Sequence, residues 1–364
     1  LLYNGVDQSI FKIRGVIAMA KFTRILSIDG GGLRGLIPAQ ILVYVEQRLQ
    51  EKTGNSEARI ADYFDLFAGT SAGGISSCLY LTPDFTRENR PKYQAQDVVN
   101  FFLREGHRVF YKSLLHTIKN LGGFINEKYS HYEFQQLSSD FLGDLKLSEL
   151  LKPCLITAYD IENRRTHFFT QHDAKIDPKQ DYLVRDVLRA TSAAPTFFEV
   201  AQILSFSNDT YHLVDGGVFA NNPALCAYAE VRNKFNQDSG IKKSHKKSPT
   251  AKEMVILSLG TGDVKKGYPY KEAKDWGNIS WLIPLFDIIM TGVAETVDYQ
   301  MKQIYDAIEC PQQYLRINPI LPKKGILPID DSSQKNLAAI QQLGQEQTGQ
   351  SQQSLDNFID LLLL

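Results

Sequence analysis

Three short stretches of this 364-residue chain hold residues whose types and spacing suit chemistry. The first, "GTSAG" at 69–73, fits G-x-S-x-G, the pattern of a nucleophile elbow. There a sharp strand-to-helix turn pushes a serine hydroxyl outward, and the small flanking residues let strand and helix close on each other. The second, "DGGGLRG" at 29–35, joins an apolar run to a helical one, and its Gly30, Gly32 and Gly35 also satisfy the dinucleotide pattern G-x-G-x-x-G. Amides exposed at such a turn favour negative charge, whether a phosphate or a developing oxyanion. The third, "HLVDGGVFANNP" at 212–223, puts Asp215 at the end of an apolar run and before Gly216 and Gly217, where it reads either as a working carboxylate or as a turn cap.

The dinucleotide reading requires a second strand ending in an acidic residue ~20 positions beyond the loop. At that distance the chain reads "TGNSEAR", a polar turn with no strand before Glu57. A serine nucleophile requires a base, usually histidine. The seven histidines are His107, His116, His131, His167, His172, His212 and His245, and none stands in a late loop after an acid except His245, which lies inside a lysine run.

The elements that must position these residues follow from periodicity. Strand-like runs at 24–28, 63–69, 153–160, 166–170, 211–217 and 254–260 alternate with helical patterns, which indicates an α/β domain with a mainly parallel, buried sheet. Between the first two runs, Ile41, Leu42, Val45 and Leu49 mark one helical face, with Gly54 as its stop. Residues 91–150 read mostly helical. Leu282, Leu285, Phe286 and Ile289 mark a later helix, read as a buried core helix rather than an acyl-channel lining or a membrane contact, "QYLRIN" at 313–318 an edge strand, and a Gln-rich helical tail closes the chain.

Composition narrows the class. With 43% hydrophobic and 22% charged residues the chain has the balance of a soluble globular protein, and a net charge of −1 gives no reason to expect nucleic acid. The basic run "IKKSHKKS" at 241–248 reads as a solvated loop. Cys78, Cys154, Cys226 and Cys310 are widely spaced, with no C-x-x-C pair, which suggests neither zinc nor a disulfide framework and suits a reducing compartment. No apolar run reaches the ~20 residues of a membrane span. Leu stands first, and "MAKF" at 19–22 directly precedes the first strand, so residues 1–21 read as an N-terminal extension or expression remnant with only a weak signal-peptide character.

Taken in order, "DGGGLRG" at 29–35, "GTSAGG" at 69–74, "ATSAAPTFF" at 190–198, "DGGVFANNP" at 215–223 and "SLGTG" at 258–262 resemble the successive blocks of the patatin-like phospholipase family. "WGNISWLIPLFDIIMTGVAETVDYQ" at 276–300 and "YLRINPIL" at 314–321 are similar to C-terminal blocks of its plant-patatin-related branch. The resemblance covers residues 22–345 and implies a three-layer α/β/α sandwich around a mainly parallel central sheet, with a helical C-terminal extension. It divides that domain into catalytic motifs at 29–262 and a helical part at 263–345, followed by a helical tail at 346–364.

The resemblance also implies roles. Ser71 becomes the nucleophile and Asp215 its general base, in a dyad without histidine. Gly30, Gly31 and Gly32 become the oxyanion-hole loop, which answers the ambiguity of that glycine pattern. Arg34, Gly35, Gly69, Gly73, Gly216 and Gly217 support the motifs, with Arg34 bracing the loop rather than meeting a lipid phosphate. The implied activity is hydrolysis of fatty acyl esters in phospholipids or related membrane lipids through an acyl-enzyme, with no metal or organic cofactor. The expected partners are a lipid substrate and, transiently, a membrane or micelle surface, with no nucleic acid and an open oligomeric state. The expected location is the cytoplasm, with export as an effector left open. The alternatives are an inactive lipid-binding module and a dinucleotide-binding oxidoreductase.

Overall fold

The computed structural model describes residues 22–110, 131–235, 249–263, 267–321 and 327–364. The readings made on residues 1–21, on the basic run at 241–248, and on His116 and His245 lie outside the described residues, as do the side chains of His131, Leu282 and Phe286.

Along the chain, β1 (Thr23–Ile28) passes through the glycine loop into α1 (Leu36–Thr53), and β2 (Leu66–Gly69) turns into α2 (Ala72–Leu81). Helices α3 (Ala95–Val109) and α4 (His131–Leu142) precede β3 (Cys154–Asp160), β4 (Arg165–Thr170) and α5 (Val184–Thr191). Then come β5 (Ala201–Leu204), β6 (Thr210–Asp215), α6 (Ala224–Lys234), β7 (Met254–Leu259), α7 (Asn278–Ala307), β8 (Tyr314–Ile317) and α8 (Gln334–Leu362).

The sheet runs β5-β6-β3-β2-β1-β7-β8, with β4 paired to β3. Its five strands from β3 to β8 pair in parallel, while β4, β5 and β6 add antiparallel pairings, so the sheet is mixed around a parallel centre. The strands are apolar on both faces because both faces are covered. Leu26, Ile28, Phe67, Ile156 and Leu257 point into one core with α1, α2 and α3, whereas Ile25, Leu66, Leu155 and Ile256 point into another with α6 and α7. This is the three-layer sandwich. Helix α1 ends where Gly54 enters the left-handed region at φ 66°, a conformation that a side chain would oppose.

Three expectations are revised. β5 was not foreseen, because "AQIL" is a short strand with two exposed residues. α8 is one helix running through residue 345, and it lies along α1, where Asp356 accepts from Arg48 at 2.9 Å and from Tyr44 at 3.0 Å. The first half of α7 is not a buried core helix: Trp281, Leu285 and Ile288 are 40–47% exposed, while Met290 on the same helix lines the cavity described below.

Candidate active site

The register around β3 brings the serine and the aspartate together. β4 takes the whole of one edge of β3, from Leu155 to Asp160. β2 and β6 therefore share the other edge, and they run along it in opposite directions. β2 ends with Gly69 opposite Ile156, and β6 ends with Asp215 opposite Ala158, so the two strands meet head-on across Thr157. Residues 144 positions apart in the chain are thus delivered to one point by backbone pairing.

The elbow is built as its spacing requires. Ser71 sits at φ 52° and ψ −121°, a strained conformation that costs about 1–3 kcal/mol and turns β2 sharply into α2. A side chain at Gly73 would collide with the carbonyl oxygen of Ile28, and one at Gly69 with the backbone of Gly73. The Ser71 amide donates to Thr191 Oγ1 at 2.9 Å, and that hydroxyl donates to the Thr157 carbonyl at 2.7 Å. Thr157 also bonds Thr70 through its own hydroxyl at 2.7 Å and packs under Gly216. It thereby holds the residues next to both Ser71 and Asp215.

Asp215 is buried, its carboxylate accepts the Gly217 amide at 2.7 Å, and the Ser71 hydroxyl lies near enough to favour its charged form. Burial pushes its carboxyl up to about 7, against the opposing pull of those two donors. A carboxylate of that basicity suits proton transfer near neutral pH. Among the described residues no histidine lines the cavity at this point. His167 packs instead among Phe169, Tyr182 and Tyr211, where burial lowers it to about 4, and His212 pairs with Glu162 at 2.6 Å on the surface.

The glycine loop lies on the neighbouring strand β1, beside the elbow. Its three glycines are not equivalent: the Gly30 amide donates to the Asn221 carbonyl at 3.1 Å and is occupied. The amides of Gly31 and Gly32 have no partner among the described residues, and both residues line the cavity with Ser71. Gly32 has φ +57° and packs against the Ile329 carbonyl, so a side chain there would meet both strain and backbone. Gly31 lies on Thr261, whose hydroxyl donates to the Gly30 carbonyl at 2.6 Å.

The loop is clamped from the far end of the chain. Arg316, on β8, holds the Asp29 carboxylate with both terminal nitrogens, at 2.8 and 2.5 Å, and donates to Ser258 at 3.0 Å. Both partners are buried, and the Asp29 carboxylate holds the guanidinium charged, above its ordinary range. Arg34 donates to the Leu327 carbonyl at 2.7 Å, which ties the loop to the segment carrying Ile329, and burial lowers its guanidinium to about 10. Gly35 lets Phe102 pack close, and Gly217 does the same for Met290.

From Ser71 and Asp215 a cavity of about 660 Å³, its open mouth included, extends between α3, the 194–198 loop and α7. Phe101, Phe102, Phe197, Phe198 and Met290 form much of its wall. Arg189 steadies the loop by donating to the Glu199 carbonyl at 2.8 Å. The only polar side chains on the described wall are Ser71, Ser192 and Asp215. Such a site can take an apolar group and hold it beside a serine hydroxyl. Among the described residues no cluster of His, Cys, Asp and Glu is arranged to hold a metal ion. Thr157, Thr191 and Arg316 were not singled out from the sequence. Thr191 and Arg316 lie inside the "ATSAAPTFF" and "YLRINPIL" blocks, whose order was the one signal pointing at them, and Thr157 carried none.

A family model described as patatin-like phospholipase matches residues 26–228. Patatin-like protein 1 of Arabidopsis thaliana is 35% identical over 343 residues, covering 88% of this chain and 80% of the relative. Patatin-T5 of Solanum tuberosum is 31% identical, covering 90% and 84%. A third relative, from the same plant and 30% identical over 90% of this chain and 86% of its own length, bears the name "Probable inactive patatin-3-Kuras 1".

Proposed function

The chain belongs to the patatin-like phospholipase family, and from that premise we propose that it is a serine lipid acyl hydrolase cleaving fatty acyl esters of phospholipids or related membrane lipids. Ser71 attacks the acyl carbonyl while Asp215 takes its proton. The amides of Gly31 and Gly32 receive the oxyanion. Asp215 returns the proton to the departing alcohol, and the acyl-enzyme is then hydrolysed by water that Asp215 activates. The proposed setting is the cytoplasm, which suits the four free thiols, with transient contact to a membrane or micelle surface. No described helix is long and apolar enough to cross a membrane.

The observation that carries this reading is a strained, buried serine that shares the wall of an apolar cavity with an aspartate that burial raises to about 7. The second reading, a lipid-binding module without turnover, is favoured only by the name of one relative, and both Ser71 and Asp215 are present here. An acyl-ester assay across phospholipids, galactolipids and neutral lipids, with Ser71→Ala as control, separates the two. Release of fatty acid by the parent alone supports the hydrolase, and binding of all lipids without release by either protein supports the module.

A further inference from the structure

Ser192 ends α5 and lines the cavity beside Asp215, whose backbone amide donates to the adjacent Ala193 carbonyl at 3.0 Å. Its hydroxyl is shut from solvent and has no hydrogen-bond partner among the described residues. An unpaired buried hydroxyl costs about 1–3 kcal/mol, so this one gains by pairing with a polar group that enters the cavity. A serine hydroxyl turns among three staggered positions, and it can meet a group that enters the cavity.

The chemistry of the second half-reaction supplies that group. Once Ser71 is acylated, its oxygen belongs to an ester and has no proton for Asp215. A water that attacks this ester must be held, and a buried water needs about 2–4 polar partners. The described wall then offers two polar side chains, Asp215 and Ser192, among apolar ones. Asp215 already spends one oxygen on the Gly217 amide.

Resting on the acyl-hydrolase reading above, we propose that Ser192 holds the deacylating water against Asp215. The water oxygen forms a bond to the acyl carbon, and its proton passes to Asp215. The tetrahedral intermediate collapses by breaking the bond from the acyl carbon to Ser71 Oγ, which recovers the proton from Asp215, and the fatty acid departs. Ser192 gives and accepts hydrogen bonds throughout and is not consumed.

The test separates the two half-reactions with a p-nitrophenyl ester of a long-chain acid, followed from the first turnover. Ser192→Ala is expected to acylate Ser71 at close to the parent rate and to deacylate about tenfold or more slowly, the effect of one lost hydrogen bond at a reacting atom. It should therefore give a burst near one equivalent, and its acyl-enzyme should persist in intact-mass spectra. Ser192→Thr, which keeps a hydroxyl, should recover much of the deacylation rate. Unchanged deacylation in Ser192→Ala, or an equal fall in both phases, overturns the proposal, as a packing defect would slow both. A parent that releases no nitrophenol and carries no acyl adduct overturns the hydrolase reading itself.

Discussion

The reacting groups of the site and the contacts that hold them are assembled in different ways. The elbow is local: Gly69, Ser71 and Gly73 lie within five residues, and their spacing fixes the turn. The glycine loop sits beside it because β1 and β2 are parallel neighbours. Part of the support is imported, since Met290 and Ile329, which line the cavity, and Arg316, which holds Asp29, all lie beyond residue 228, where the family model's match ends. The contact from Arg34 to Leu327 spans 293 positions. The reacting groups thus lie in one part of the chain, and much of what holds them in place lies in another.

This contrast sets an order of effects. Ser71→Ala should give the largest, a fall in ester turnover of roughly 10⁴-fold or more. Its unfolding temperature should stay close to the parent's, because the hydroxyl carries chemistry rather than packing. A fluorophosphonate probe should label the parent and spare the variant, and equal labelling would locate the nucleophile elsewhere.

Asp215→Asn should be nearly as inactive, and it adds a signature that Ser71→Ala lacks. The folded pKa of Asp215, about 7, lies above the ~3.9 of a free aspartate, so between those values the native state binds the extra proton. Stability from this group is full below about pH 4 and is lost as pH rises through about 7. The amide never ionises. The variant's unfolding temperature should therefore exceed the parent's near pH 8 and approach it near pH 4. In the parent, kcat/KM should fall on the acid side with an apparent pKa near 7. An acid limb near 4 would mean that the base is not desolvated as described.

The glycine loop and its distant clamp come next, and they sharpen the comparison. Gly31→Val drives a side chain into Thr261 and should displace an oxyanion donor, with a loss in kcat on the order of 10²–10³. Arg316→Met leaves the buried Asp29 carboxyl without its partner, which should destabilise the fold by about 3–5 kcal/mol. It should also lower kcat more than it raises KM, because Asp29 precedes the oxyanion loop. Asp29→Asn combined with Arg316→Met removes both charges and should recover stability relative to Arg316→Met alone. If Arg316→Met keeps full kcat below its unfolding temperature, the C-terminal clamp serves stability only.

The sequence displayed the two cores through the alternation and length of its apolar runs, and the elbow through five residues. Such signals are local, and that is why they were legible. Asp215 was ambiguous on its own, since a turn aspartate and a base look alike until β6 is seen to run head-on into β2 along β3. Thr157 was illegible, because its role comes from lying between two strand ends that meet only in the folded sheet. The inequality of the glycines was equally hidden: Gly30 loses its amide to Asn221, a contact no spacing rule contains. The outward side of α7 misled for a related reason, since an apolar helical stripe looks the same whether it faces a core or the solvent.

The smallest effects should come from the histidines, and these decide whether the site is a dyad. A serine hydrolase ordinarily relies on imidazole because its pKa lies near 6.5, while a free aspartate is far more acidic. Here burial brings Asp215 into the same range, so the reason for an imidazole disappears. The described histidines are also placed elsewhere. His107 lies exposed in the last turn of α3, and His212 is half-exposed in its pair with Glu162. His107→Gln and His212→Gln should each retain most of the parent's kcat/KM, with unfolding temperatures little changed. His167 is a different case: its ring is packed edge-on against Phe169 and Tyr182. His167→Gln should lower the unfolding temperature through lost packing while leaving the pH profile of the remaining activity near 7. Turnover is measured for all seven single variants, each checked for folding by circular dichroism. A folded histidine variant as inactive as Asp215→Asn would replace the dyad by a triad, and it would move the origin of the base from burial on the sheet edge to a side chain outside this cavity wall.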